Sequence, residues 1–225
     1  MQNMDVFVVV VIILCVTLAL EYVSLSRKKF KRELQACLET QRSLPAFREM
    51  LESTRGRRCV GKKDAGFLLL DAAISLEDEQ TARSLFRKLD EVRMNRTEFI
   101  NYNMKKLAYG IQIQDPDLAQ QGWKCIHDSR FARYVKREAD QLYDIYVLHQ
   151  ANHIEELETF AEKAKNPSSK AMAYYRIARQ YDSLSDKKNC MAYIARAREV
   201  YTDPTWRDMM DGILKGTCTV DGSPV

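Results

Sequence analysis

A chain of 225 residues has room for one domain, or for a small domain with an appendage. Glycine (8) and proline (5) are scarce and 29% of the residues are charged, which favours long helices and excludes a turn-rich β architecture. The net charge of +4 sits in one block, with twelve Lys/Arg against four Asp/Glu between Ser24 and Lys63, and that argues against a footprint for nucleic acid over the whole chain.

The first element is apolar. Val6 to Leu20 is interrupted only by Thr17, and the apolar character resumes past Glu21 as far as Leu25. A helix needs about 20 such residues to cross a bilayer core, so residues 1–25 read as a transmembrane anchor. A secretory leader would carry positive charge before the apolar run and a small-x-small site after Leu20, and this segment has neither. The cations follow the span, so the expected topology is single-pass, with the N-terminus outside and the remainder cytoplasmic. In that compartment the sequon Asn95-Arg96-Thr97 would be silent. The six cysteines, which form no C-x-x-C pair, would be reduced.

Residues 26–62 read as a basic juxtamembrane helical linker. Arg27, Lys28, Lys29, Lys31 and Arg32 form one cluster, and Arg55, Arg57, Arg58, Lys62 and Lys63 form another. The second includes GRRCVGKK (56–63), which matches G-x-x-x-x-G-K but has Lys63 where a P-loop needs a Ser or Thr hydroxyl for magnesium. A helix opened by Pro45, not a strand, precedes it. The expectation is therefore contact of both clusters with an anionic membrane surface, and no nucleotide.

Beyond the linker, apolar residues recur at three- and four-residue steps. With the linker included, they predict helices over Phe30–Thr40, Ala46–Thr54, Lys63–Ser75, Asp78–Arg93, Glu98–Ile113, Pro116–Ile126, Phe131–Gln150, Ile154–Lys165, Ser169–Ser183, Lys187–Tyr201 and Thr205–Leu214. Asp115-Pro116 and Asn166-Pro167 mark the clearest boundaries. Ala82, Ala119, Leu157 and Cys190 occupy equivalent positions in successive second helices, at steps of 37, 38 and 33 residues. A helix pair recurring at that period is the mark of an α-solenoid, in which no unit buries its apolar face alone.

In residues 171–204, Tyr174, Ile177, Ala178 and Tyr181 fall on a first helix, Cys190, Ile194 and Ala197 on a second, and Pro204 ends the unit. This segment resembles a tetratricopeptide repeat, with Cys190 in place of the usual alanine, Pro204 two residues late and no glycine in the turn. The resemblance implies an all-α fold, with a repeat domain over residues 63–214 and a flexible tail over 215–225. A non-repeat helical bundle is the plainer alternative.

No residue asks to be a nucleophile or a general base. His149 and His153 have i, i+4 spacing, but Gln150 stands where a zinc hydrolase needs glutamate, and polar turn residues are the simpler reading. His127, beside Asp128 at a helix end, reads as a C-terminal cap. The carboxylates cluster at helix starts, where they complement the dipole. Neither catalysis, a cofactor nor a metal is expected. First helices supply Tyr102, Tyr109, Tyr143, Tyr146, Tyr175 and Arg179, the residue types that line contact grooves. By the resemblance, the expected function is a membrane-anchored scaffold that docks a protein or peptide. The alternatives are a non-catalytic subunit of a membrane enzyme or transporter, or a tether for nucleic acid.

Overall fold

The computed structural model describes residues 24–220, and among them the chain is all-helical. The apolar span Val6–Leu25 lies outside the described residues apart from Ser24 and Leu25. Among the described residues no helix is long and apolar enough to cross a membrane. The chain divides into two compact units between Arg93 and Met94.

In the first unit, helix α1 (24–41) is followed by α2 (Leu44–Glu52), α3 (Thr54–Cys59), α4 (Lys62–Ser75) and α5 (Glu79–Asp90). The expectation of a separate linker over 26–62 is corrected here. Phe30, Leu34, Phe47, Leu51 and Val60 are buried, so this stretch belongs to the same compact unit as α4 and α5. Helix α3 was not predicted, and it contains the first half of the P-loop-like stretch. A Cβ on Gly56 would come 2.3 Å from the Met50 carbonyl oxygen and 2.4 Å from that of Leu51. That glycine is there because α3 packs against the end of α2. Gly61 is simply the N-cap of α4.

The second unit runs α6 (Arg96–Gln112), α7 (Pro116–Asp128), α8 (Arg133–Tyr146), α9 (Ile154–Lys163), α10 (Pro167–Ser183), α11 (Lys187–Val200) and α12 (Pro204–Lys215). The pairs α6/α7 and α10/α11 are close hairpins, while α6 also packs on α8 and α8 on α10. Each helix therefore leans chiefly on its neighbours in sequence, as stacked helix pairs do. Ala119 lies in a core cluster with Leu107, Ile126 and Tyr143, and Ala178, Cys190, Ile194 and Ala197 lie in a second one. Small residues mark the crossings. A Cβ on Gly110 would sit 2.4 Å from the Ala119 nitrogen, and one on Gly122 would sit 2.6 Å from the Asn103 oxygen.

One turn is built three times. Glu77, Gln114 and Ser185 take positive φ at 57°, 54° and 59°. Each is followed by an aspartate whose N–H reaches back to Ala73, Gly110 or Tyr181. The same aspartates then accept from the N–H groups of Thr81, Leu118 and Asn189 to cap the next helix. Closing one helix with a left-handed residue while capping the next satisfies orphan groups on both sides. The corresponding turn between α8 and α9 is longer, with its positive-φ residue at His149.

Past α12 the expected flexible tail is corrected over 216–220. Gly216 closes the helix at φ 74°, and Val220 is buried in the second core cluster. Residues 221–225 of that expectation lie outside the described residues.

Candidate functional site

The predicted groove residues do not line one open face. Tyr102, Tyr109, Tyr143 and Tyr175 are all buried, with at most 6% of their surface exposed. A tyrosine buries a large ring and still finds a partner for its hydroxyl, so helical periodicity cannot separate a core tyrosine from a groove tyrosine. Tyr143 stacks on Trp123 with ring centroids 4.5 Å apart, and Tyr175 donates its hydroxyl to the Val220 carbonyl. Only Tyr146 and Arg179 are brought together near the surface, the guanidinium 5.7 Å from the ring centroid. Burial pushes the Tyr146 hydroxyl up, against the opposing charges of Arg176 and Arg179.

The histidines occupy different environments. His149 is exposed in the turn, whereas the His153 ring lies between the Asp144 carboxylate at 2.9 Å and that of Glu156 at 3.4 Å. The ring thus ties α8 to α9, while the backbone N–H of His153 donates to the Gln180 side chain of α10. His127 meets Asp140 of α8 at 3.2 Å, and Asp140 also accepts from the Trp123 indole at 2.7 Å. The His127 side chain, in the last turn of α7, therefore also bridges α7 to α8.

The pocket of the second unit lies where its helix packing loosens. Helices α8 and α9 lack the close backbone packing of the other hairpins. A pocket of about 540 Å³ opens there, against the first half of α10. Tyr134 and Phe160 stand at its rim, 72% and 51% exposed, with Met172 and Leu157 beneath them. Single exposed apolar residues are ordinary, but two large rings converging on one cavity are not.

The polar side of this pocket is made by Arg137, Glu138, Gln141, Glu156 and Arg176. Glu156 is engaged on both oxygens, by Arg137 and Gln141 on one and by His153 on the other. Burial alone would raise its carboxyl, but the bonds from Arg137 and His153 outweigh that and hold it below the usual range. Arg176 is less well matched. Its Nη1 is 3.5 Å from the Gln141 oxygen, and its Nη2 is 3.7 Å from Glu138. Its Nε is buried with no hydrogen-bond partner among the described residues. A buried donor left unmade costs about 1–3 kcal/mol, and it is the two Nη groups, at 3.5 and 3.7 Å from their partners, that an incoming acceptor can reach.

None of the pocket residues Tyr134, Phe160, Gln141 and Arg176 was singled out from sequence. The available signal was local: Arg176 follows Ala173 and precedes Ile177 on the apolar side of α10, where an arginine needs a reason.

In the first unit the two basic clusters converge. Arg55 of α3 makes a two-pronged pair with Glu33 of α1, at 2.6 and 3.2 Å, and its guanidinium sits over the Phe30 ring at 5.5 Å. Ser26 meets Cys59 at 3.9 Å. Arg27, Lys28, Lys29, Lys31, Arg32, Arg55, Arg57, Arg58 and Lys62 are exposed, and Lys63 is half-buried.

No protein-family model matches the chain, and no curated protein or solved structure matches it either.

Proposed function

We propose that the chain is a membrane-anchored, tetratricopeptide-like docking scaffold whose second unit holds an acidic peptide segment bearing a large apolar side chain. The observation that carries this reading is the pocket between α8, α9 and α10, where Tyr134 and Phe160 flank an under-bonded Arg176. The rings offer contact area at low entropic cost, and the guanidinium fork suits a carboxylate. Support for the tetratricopeptide reading comes from the repeated turns and from small residues at the crossings, Ala178 and Ala197 being fully buried.

The reading is one of binding, without catalysis or a cofactor. The span Val6–Leu25 would hold the domain at the membrane, and the exposed cations of the first unit would face the anionic leaflet on its cytoplasmic side. A displayed peptide library panned against the full chain in detergent tests the docking reading. Enriched sequences should combine Asp or Glu with an aromatic or long aliphatic residue, and Arg176→Gln should abolish the enrichment. Enrichment indifferent to that substitution would remove this pocket from the account.

A further inference from the structure

The first unit carries a pocket of another kind, about 550 Å³ in volume. One wall is the face of α1 that bears Ser24, Arg27, Lys28 and Lys31, at helical three- and four-residue steps. The other is the face of α4 that bears Asp64, Phe67 and Leu68, and Cys59 and Val60 close the base. The contacts Ser26 to Cys59 and Glu33 to Arg55 show why the walls meet there. They run α1 antiparallel to α3 and lay its first half over the junction of α3 and α4.

The charges divide by role. Arg55 is used internally, holding α1 through Glu33 and Phe30. Arg27, Lys28 and Lys31 are exposed and form no ion pair among the described residues. Three cations and one carboxylate thus surround a base of buried Val60 and half-buried Phe67 and Leu68. A positive rim over an apolar base suits a phosphodiester joined to hydrocarbon, and fits a free inorganic anion less well.

Position along the chain agrees. At 1.5 Å per residue, Arg27, Lys28 and Lys31 stand about 3, 5 and 9 Å beyond Leu25, where the apolar span ends. That range covers the headgroup layer and its boundary with water. We propose that this pocket binds the headgroup of an anionic phospholipid from the membrane that Val6–Leu25 spans, fixing the first unit against the leaflet. The inference rests on the membrane-anchored reading.

The test uses the full-length chain in a neutral detergent, with phosphatidylglycerol or phosphatidylcholine added and the adducts counted by native mass spectrometry. Phosphatidylglycerol should be retained preferentially. The triple variant Arg27→Gln/Lys28→Gln/Lys31→Gln should weaken that retention by about tenfold or more. Lys187→Gln/Lys188→Gln, which removes exposed charge from the second unit, should leave it nearly unchanged. Equal retention of the two lipids, equal losses from the two variants, or displacement of the lipid by millimolar inorganic phosphate would each overturn the proposal. Alkaline carbonate extraction from liposomes addresses the anchor separately. A chain that is extracted disproves the membrane reading, whereas a chain that stays and shows no lipid preference disproves only the pocket.

Discussion

The Tyr175 hydroxyl donates to the backbone carbonyl of Val220 at 2.7 Å, across forty-five residues of chain. This bond fastens the segment after α12 to the middle of α10, beside the T-shaped contact of Tyr175 with Trp206. Tyr175→Phe keeps the ring and removes the donor, leaving a buried carbonyl with one partner fewer. The expected loss is about 1 kcal/mol. A thermal melt followed by circular dichroism should show a midpoint a few degrees lower, and an unchanged midpoint would mean that the carbonyl is satisfied without it.

The glycines at the α6/α7 crossing predict a larger effect. Gly110→Ala places a methyl 2.4 Å from the backbone of Ala119, where no rotamer change can relieve the clash. The hairpin has to separate, with an expected loss of about 1–3 kcal/mol or more. Gly216→Ala meets nothing within 4 Å, and its strain comes only from φ 74°. Its loss should be near 1 kcal/mol. Chemical denaturation of both variants gives the ranking, and a Gly216 variant weaker than the Gly110 variant would contradict the packing described.

The three shared turns allow substitutions of opposite sign. Glu77, Gln114 and Ser185 hold left-handed backbone without being glycine. Ser185→Gly should raise the melting midpoint by relieving that strain at the helix end. Asp186→Ala, one residue on, should lower it by removing the cap on Asn189. A double variant near the parent would show that one turn contains both effects.

These aspartates also set an acid limit. Backbone hydrogen bonds from Thr81 and Asn189 hold the carboxyls of Asp78 and Asp186 below their usual range. A carboxyl whose folded pKa is depressed adds stability that is fully present above its unfolded pKa, near 4, and is lost as pH falls through the folded value. Stability should therefore decline below about pH 4, and Asp78→Asn/Asp186→Asn should flatten that decline. An equally steep decline in the double variant would assign the acid sensitivity to other groups.

The helices were legible because their apolar residues keep step with the backbone. Predicted and observed bounds agree closely at Lys187–Val200 and at Pro116–Asp128. The small residues Ala82, Ala119 and Cys190 were likewise legible as equivalent positions, and all three are buried. The repeated turn was hidden, because three non-glycine residues carry the left-handed geometry and only the following aspartate is constant. Helix α3 was hidden by its own composition, since TRGRRC offers no apolar stripe and its burial falls on Gly56. The pocket was the least visible feature. It depends on α8 and α9 standing apart, and on an arginine whose partners come from α8, some 35 residues earlier in the chain. Periodicity placed tyrosines on first helices correctly, but it could not say that four of them turn inward.

The docking claim is tested most directly at the pocket rim. A photoreactive phenylalanine analogue at position 134 of the full chain, in intact membranes, should capture a defined partner. The same analogue at exposed Arg207 should not. An acidic, apolar-bearing peptide from the captured site should then bind the purified chain, and Arg176→Gln or Phe160→Ser should weaken it at least tenfold. Capture that is equal at both positions, or peptide affinity unchanged by Arg176→Gln, would contradict the account.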